Sequence, residues 1–306
     1  MRLREISIPR YRSISTGTIT LRDLTTLVGS NGSGKSSVLR AIQFLCCGAS
    51  QGEVQLTNGR PALAQLLCQR GAPEVHGVLE VEEADVSALN DDLKLTLGGD
   101  RGWSGGTFRI SRTYVPSSQP TRPMQVQFTP EQQAWLGAHA TKLSAVLENR
   151  IATFATLIPA ERTLGSTDYQ AGVPYLRDGS TLLRKLHAHS VERTQSLSDV
   201  VDVLERQFHS VFPEFNNLRV VQRNGLYDIE VNKKEKFNSA WLGSGHREIL
   251  VMLGEILFST GIVMIEEPER GLHPKLQREI LPILERAAAG RQLIVCTHSP
   301  AVISAA

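Results

Sequence analysis

One eight-residue segment near the N-terminus constrains the fold more than any other part of the sequence. It reads Gly29-Ser30-Asn31-Gly32-Ser33-Gly34-Lys35-Ser36 and matches the pattern G-x-x-x-x-G-K-[ST] in full. The run Thr25–Val28 before it predicts a strand, and the apolar spacing of Val38, Leu39, Ile42 and Leu45 after it predicts a helix. Because the pattern requires a strand before it and a helix after it, the segment is predicted to be a phosphate-binding loop rather than an ordinary glycine-rich turn.

The chemistry of such a loop assigns a role to each residue type. Glycines let successive backbone N–H groups converge on phosphate oxygens, and the helix N-terminus adds its positive dipole. Lys35 would reach the β- and γ-phosphates of ATP, and the Ser36 hydroxyl would ligate Mg²⁺. The predicted nucleotide-binding residues are the eight of the loop together with Ser37. This loop alone leaves kinases, GTPases, helicases and many ATPases open.

A pair of carboxylates narrows the choice. Four apolar residues, Ile262–Ile265, are followed by Glu266 and Glu267. A buried strand that delivers acids at its C-terminal end fits a Walker-B element in a parallel sheet. Glu266 is predicted to hold Mg²⁺, and Glu267 to orient and deprotonate the attacking water. Ordinary surface acids at a strand end are the alternative, which the phosphate-binding loop disfavours.

Two further segments complete the set. Leu242–Glu248 opens a predicted helix, and its small residues Gly243, Ser244 and Gly245 would expose backbone N–H groups as a second anion site. A single γ-phosphate does not need two helix N-termini from one subunit, so this site is predicted to cap the nucleotide of a partner; a simple helix cap is the alternative. His298 follows the apolar strand Leu293–Cys296 and is predicted to sense the γ-phosphate, although a histidine at a strand end is often structural.

These four elements, in this order, resemble the ATP-binding-cassette (ABC) head of the OLD, RecF and SMC-like ATPases. The opening phrase Arg2–Ile14 and the segment Ile158–Arg162 look like recurring segments of that group. Glu266–Gln277 is close to the phrase EEPE-x-x-LHP-x-x-Q of OLD-like ATPases. The resemblance covers residues 1–45 and 237–303 well and the middle of the chain only loosely.

The resemblance implies an α/β fold of the P-loop NTPase type, an ABC-ATPase head with a mixed sheet, an antiparallel β subdomain and an inserted helical lobe. Residues 1–135 would form the N-terminal half of the head, 136–215 the helical lobe and 216–306 the C-terminal half. Two heads would form a homodimer around two ATP molecules, with Lys35 and Ser36 of one subunit facing Ser244 and Gly245 of the other. Glu269–Pro274 would take the D-loop position and His298 the switch-histidine position.

Some residues depart from the family pattern. The serine of the usual LSGGQ signature aligns with Gly243, so Ser244 or backbone amides would have to replace it. Gln43, Gln51 and Gln55 are candidates for the Q-loop residue, and none stands in a clear context. The sequence ends eight residues after His298, where OLD proteins continue into a Toprim nuclease. We therefore expect either a truncated chain or an ATPase whose nuclease or effector is a separate polypeptide.

Composition and charge limit the partners. Lys and Arg number 33 and Asp and Glu 31, a net charge of +2 that requires neither nucleic acid nor a membrane surface. The longest apolar stretch, Ile249–Ile265, is interrupted by Gly254, Glu255 and Gly261, so no membrane span is predicted and a cytoplasmic protein is expected. The four cysteines lack metal or disulfide spacing and are predicted to be buried thiols. They are Cys46, Cys47, Cys68 and Cys296.

DNA binding does not follow from this sequence. A predicted hairpin around Asn224-Gly225 is locally basic, but acids are interleaved with its basic residues, which favours a solvated face of mixed charge. The basic residues are Arg219, Arg223, Lys233, Lys234 and Lys236, and the acids are Asp228, Glu230 and Glu235.

The leading hypothesis is an ATP hydrolase whose head dimerisation gates a DNA-directed activity in repair or anti-phage defence. The alternative is an ATP-gated clamp or interaction module with little turnover that regulates a separate nuclease or effector. A transporter subunit is disfavoured because the signature serine and a clear Q-loop are lacking. A P-loop kinase is disfavoured because it would not need the segment Leu242–Glu248.

Overall fold

The computed structural model describes residues 1–48, 73–82, 85, 106–113, 124–165, 177–191, 198–223, 225–232 and 236–304. Its contacts divide the chain into two compact units. The first consists of Met1–Thr25, Asn31–Thr156 and Thr260–Ile262, and the second of Thr26–Ser30, Leu157–Ser259 and Val263–Ala306.

The described strands and helices alternate regularly only in the last part of the chain, from Ser244 onward. The strands are β1 (Arg2–Arg10), β2 (Gly17–Thr20), β3 (Leu24–Val28), β4 (Glu74–Val81), β5 (Gly106–Thr113), β6 (Gln125–Gln127), β7 (Ala155–Ile158), β8 (Asn216–Arg223), β9 (Leu226–Asn232), β10 (Lys236–Asn238), β11 (Ile262–Glu266) and β12 (Gln292–Thr297). The helices are α1 (Lys35–Cys47), α2 (Pro130–Leu136), α3 (Ala140–Ile151), α4 (Leu182–Val191), α5 (Ser198–Val211), α6 (Ser244–Leu257), α7 (Pro274–Ala287) and α8 (Pro300–Ile303).

The first unit is built on an antiparallel sheet with the strand order β2-β1-β4-β5-β6. Burial alternates along β4, as expected of a sheet with one covered face. Helix α1 approaches that sheet at a glycine, because a Cβ at Gly77 would lie 2.7 Å from Leu45 Cδ2 and 2.8 Å from Leu3 Cδ1. The buried Arg112 donates to the carbonyls of Leu45 (3.0 Å) and Cys46 (3.3 Å), which satisfies backbone acceptors at the end of α1.

The second unit contains most of a sheet with the order β3-β12-β11-β7 and a meander with the order β10-β9-β8. Every residue of β7, β11 and β12 is buried, which is typical of strands covered on both faces. The Glu267 N–H donates to the Cys296 carbonyl at 2.8 Å, so the C-terminal ends of β11 and β12 lie side by side. The two strands therefore run parallel, as predicted for the acidic strand, and are joined through α7.

Three elements differ from the sequence prediction. Strand β7 and helices α2 and α4 were not predicted. The apolar spacing of Leu143, Val146, Leu147, Ile151 and Phe154 predicts one helical stripe, but α3 ends at Ile151. Phe154 instead lies in a turn, and its carbonyl accepts the Ile262 N–H at 2.7 Å. A fully buried strand of four residues cannot be distinguished by periodicity from the continuation of a helix, which explains the error.

The turn before β11 provides a test of packing in the first unit. A Cβ at Gly261 would lie 2.1 Å from Phe154 Cδ2 and 2.6 Å from the Phe154 carbonyl oxygen. Because that carbonyl is already bonded to Ile262, it cannot easily move away. We expect Gly261→Ala to lower the free energy of unfolding by about 1–3 kcal/mol, measured by urea denaturation.

The matched control is Gly106→Ala, in which the new Cβ would meet no atom closer than 3.6 Å. A loss of stability as large in the control as in Gly261→Ala would contradict the packing argument.

Candidate functional site

The phosphate-binding loop leads into α1, as predicted. Gly32 and Gly34 adopt left-handed backbone conformations with φ of 79° and 96°, which glycine reaches without strain. Helix α1 begins at Lys35 with no side-chain cap and no acidic residue in its first turn. The first turn therefore contributes no negative charge to the positive end of the helix dipole, which favours anion binding.

A turn from the start of the chain supports this loop within the first unit. Tyr11 and Ile14 exchange two backbone hydrogen bonds of 3.0 and 2.9 Å. The Ser13 and Ser37 hydroxyl oxygens lie 3.0 Å apart and share a hydrogen bond. A Cβ at Gly34 would lie 3.6 Å from Ser13 Oγ. Ser13 is therefore a supporting residue of the loop, and its only signal in the sequence was the family-like phrase Arg2–Ile14.

The two predicted acids lie at the end of β11 in the second unit. Glu266 is buried, whereas the side chain of Glu267 is 36% exposed. Glu267 has a φ of 44°, which is rare for a residue with a side chain. Such strain is concentrated at functional sites, where surrounding bonds hold it in place. Here the Glu267 N–H is held by the Cys296 carbonyl.

Arg162 holds the backbone of both acids. Its side chain is fully buried, and its guanidinium donates to the carbonyls of Glu266 and Glu267 at 2.9 Å each. It also donates to the Pro159 carbonyl at 2.9 Å and to the Glu248 carboxylate. Arg162 thus connects the acidic strand end with the first turns of α6. The sequence marked it only as part of a family-like segment.

The segment Leu242–Glu248, here called the signature-like turn, opens a helix as predicted. Helix α6 begins at Ser244 with Gly243 as its N-cap and no side-chain cap, and both residues are exposed. A Cβ at Gly245 would lie 3.3 Å from the Gly271 carbonyl oxygen, so this turn packs closely against the segment Glu269–Pro274. His246 lies in the same turn against Phe212 and Phe215, with ring centroids 4.5 and 4.9 Å away.

His298 lies at the end of β12, as predicted. Its Nδ1 is 3.6 Å from Glu267 Oε1 and 3.8 Å from Glu269 Oε1, and its side chain is 46% exposed. The structure thus brings His298 and Glu267 together within the second unit. It also adds Glu269, which the sequence had placed in the D-loop segment without a role of its own.

Of the three Q-loop candidates, only Gln43 lies in the described part of the chain, and its position does not support that role. Gln43 lies buried in α1, and its Oε1 accepts a hydrogen bond from Arg40 at 3.3 Å. A buried position inside a helix does not fit a residue of a nucleotide-contacting loop. Gln51 and Gln55 lie outside the residues that the structure describes.

The cysteines do not offer a nucleophile in the described parts of the chain. Burial raises the pKa of Cys46 to about 12 and raises that of Cys47 well above its usual value, so both thiols stay protonated near neutral pH. Cys296 is buried as well, and Cys68 lies outside the described residues.

The described residues contain neither a cluster of metal ligands nor a helix that could span a membrane. Within these ranges, no three or more His, Cys, Asp and Glu side chains are grouped so as to hold a metal ion. No described helix combines the length and the apolar character needed to cross a membrane. Part of the predicted basic hairpin lies outside the described residues. The residues concerned are Asn224, Lys233, Lys234 and Glu235.

Comparison with known sequences finds relatives at both ends of the chain. Residues 1–96 match the family model "AAA ATPase domain", and residues 176–304 match "AAA domain, putative AbiEii toxin, Type IV TA system". The chain is 33% identical over 136 residues to "Retron Ec83 probable ATPase" of Escherichia coli, a match that covers 40% of this chain and 24% of that relative. It therefore aligns with about a quarter of the length of this curated relative.

Comparison with solved structures tests the fold. An SMC head bound to the C-winged helix domain of ScpA has a TM-score of 0.63 at 14% identity, covering 100% of this chain and 93% of that one. The SMC head of Thermotoga maritima has a TM-score of 0.53 at 15% identity, with 100% and 92% covered. The SMC head derived from Pyrococcus furiosus, bound to the C-terminal domain of ScpA, has a TM-score of 0.59 at 12% identity, with 99% and 91% covered. The predicted fold class, an α/β ABC-ATPase head with an antiparallel subdomain and inserted helices, is confirmed.

Proposed function

We propose that this chain, an AAA ATPase with the ABC-type head of the OLD/SMC-like group, hydrolyses ATP between two copies of itself and uses the resulting dimerisation to control an effector. The matched ATPase family models and the fold of the solved SMC heads support this description, and assignment to the OLD family itself stays a prediction. The observation that carries the proposal is Glu267, which is backbone-strained, partly exposed and 3.6 Å from His298.

Different residues of the chain would bind the phosphates, activate the attacking water and hold the metal ion. The loop Gly29–Ser36 and Ser37 would bind the phosphates, with Lys35 on the β- and γ-phosphates. Glu267 would accept a proton from the attacking water, and His298 would hydrogen-bond the γ-phosphate. Ser36 and Glu266 offer the oxygen ligands that Mg²⁺ prefers, and the ion when bound would neutralise phosphate charge.

The signature-like turn would act on the nucleotide of the partner subunit. Gly243 and Ser244 are exposed at the uncapped start of α6, where backbone N–H groups can meet an anion. Gly245 packs against Gly271, so the turn and the D-loop segment present one surface. The solved neighbours support a head that works with other proteins, since two of them were captured with a domain of ScpA.

The effector is proposed to be a separate nuclease or another polypeptide. The retron name of the relative and the toxin–antitoxin description of the matched family favour a defence system over housekeeping repair. DNA would then be the target of the effector, because the net charge of +2 favours no broad DNA-binding surface on the head.

The dimer hypothesis predicts that ATPase activity per subunit rises with protein concentration and then reaches a plateau. Ser244→Arg places a bulky charge on the signature-like turn and should lower the plateau at least about tenfold, because donors to the γ-phosphate are blocked. Steady-state phosphate release measures the rate, and a fluorescent ATP analogue measures binding, which should persist.

Two controls sharpen this test. Ser244→Ala keeps the backbone amides and separates their contribution from that of the hydroxyl. Lys35→Ala should lose binding as well as turnover. A rate per subunit that is independent of concentration would refute hydrolysis between two copies.

The second candidate function is an ATP-gated clamp with negligible turnover. The replacement of the signature serine by Gly243 favours it. It predicts dimerisation in ATP and Mg²⁺, seen by light scattering, without phosphate release.

A further inference from the structure

We propose that Glu269 and Gln277 are positioning residues that couple the switch segment, Thr297–Ser299, to the D-loop segment, Glu269–Pro274. Through them the position of His298 in one subunit would follow the docking of its D-loop segment on the other subunit. This inference rests on the proposed ATP hydrolysis between two copies.

Glu269 forms the first connection. Its side chain is buried, and Oε1 accepts hydrogen bonds from the Thr297 hydroxyl (2.7 Å) and the His298 N–H (3.3 Å). The Thr297 hydroxyl in turn accepts the Ser299 N–H at 3.0 Å. One carboxylate oxygen thus fixes the backbone immediately on either side of His298.

The stability of the fold does not explain why the second carboxylate oxygen of Glu269, Oε2, lies in a buried environment. Oε2 is buried and has no hydrogen-bond partner among the described residues. A buried acceptor without a partner costs about 1–3 kcal/mol, so a neutral residue would stabilise the fold better if support were its only task. The carboxylate at position 269 is therefore better explained by its two hydrogen bonds to the switch segment than by the stability of the fold.

Gln277 forms the second connection. Its Nε2 donates to the Leu272 carbonyl at 3.0 Å and to the Glu269 carbonyl at 3.4 Å. Its Oε1 accepts a hydrogen bond from the Ser299 hydroxyl at 3.1 Å. Both ends of one amide are therefore used, one on the D-loop segment and the other on the switch segment.

The position of Gln277 in a helix makes this connection stiff. It lies one turn after the N-cap His273, to whose carbonyl its N–H donates at 3.1 Å, and His273 Nδ1 accepts the Lys275 N–H at 3.3 Å. A displacement of the Leu272 carbonyl would therefore move the Gln277 amide, and the amide would in turn displace the Ser299 side chain. Since His298 lies between Ser299 and Thr297, its imidazole would move with them.

The experiment compares kcat and KM for ATP in paired variants of the full chain. Gln277→Ala removes both connections of the amide, whereas Gln277→Glu keeps an acceptor for Ser299 and removes the donor to the D-loop segment. We expect both variants to lower kcat by about 10- to 100-fold, the cost of misplacing a reacting group by about an ångström. KM for ATP and ATP-dependent dimerisation should stay near those of the unmodified chain, because no phosphate contact is removed.

Thr297 supplies the matched pair for the Glu269 connection. Thr297→Val removes the hydroxyl at nearly constant volume and should lower kcat in the same way, whereas Thr297→Ser keeps the hydroxyl and should retain most activity. Ser299→Ala removes one bond only and keeps the test valid if a larger change impairs folding.

The outcomes separate this inference from the proposed function. An active unmodified chain with unchanged kcat in Gln277→Ala and Thr297→Val would overturn the coupling. A raised KM at constant kcat would also overturn it, because it would assign these residues to nucleotide binding. An unmodified chain that releases no phosphate would instead overturn the proposed hydrolysis itself.

Discussion

Glu267→Gln is expected to lower kcat for ATP hydrolysis by about 10³-fold while ATP binding persists. The amide has the shape of the carboxylate but cannot accept the proton of the attacking water. The bonds that hold the strained backbone at position 267, from its N–H to Cys296 and from Arg162 to its carbonyl, do not involve the side chain. The substitution should therefore remove the base and leave the site in place.

Three measurements check this expectation. Phosphate release gives kcat, a fluorescent analogue gives nucleotide affinity, and light scattering should show an ATP-bound dimer that accumulates because it is no longer hydrolysed. Glu279→Gln, at an exposed position of α7, is the matched control and should retain full activity. Turnover that persists in Glu267→Gln would place the general base elsewhere.

The strand–loop–helix geometry around Gly29–Ser36 could be predicted from sequence because its requirements are local. The left-handed backbone at Gly32 and Gly34 depends on glycine at those positions, and the flanking strand and helix follow from nearby apolar spacing. The same holds for Glu266 and Glu267 at the end of a short apolar run. Patterns of this kind are contained in about twenty consecutive residues.

The supporting residues could not be predicted because their partners are distant along the chain. Arg162 is 104 residues from Glu266 and 86 from Glu248. Gln277 is 22 residues from Ser299, and Glu269 is 28 from Thr297. Nothing in the spacing of these residues indicates that they meet, since the contacts depend on how β7, β11 and β12 are ordered in the sheet.

Arg162 carries the second large expected effect, which is on stability. Arg162→Met fills most of the volume but leaves the carbonyls of Pro159, Glu266 and Glu267 without this donor and removes the charge partner of Glu248. Breaking a buried pair by removing one partner costs about 3–5 kcal/mol of unfolding free energy. We expect a loss of this size in urea denaturation, together with loss of ATPase activity.

Two variants determine which part of the interaction matters. Arg291→Met is the matched control, because Arg291 is half-buried and the hydrogen bond from its guanidinium to the Ala287 carbonyl (3.2 Å) should be worth about 1 kcal/mol. Arg162→Lys keeps the charge but cannot reach several acceptors at once, since it lacks the planar fork of the guanidinium. If Arg162→Lys is stable but inactive, the guanidinium serves chiefly to hold the backbone of Glu266 and Glu267 in its strained form; if it is both stable and active, the charge opposite Glu248 is sufficient and the contacts to the two carbonyls are dispensable.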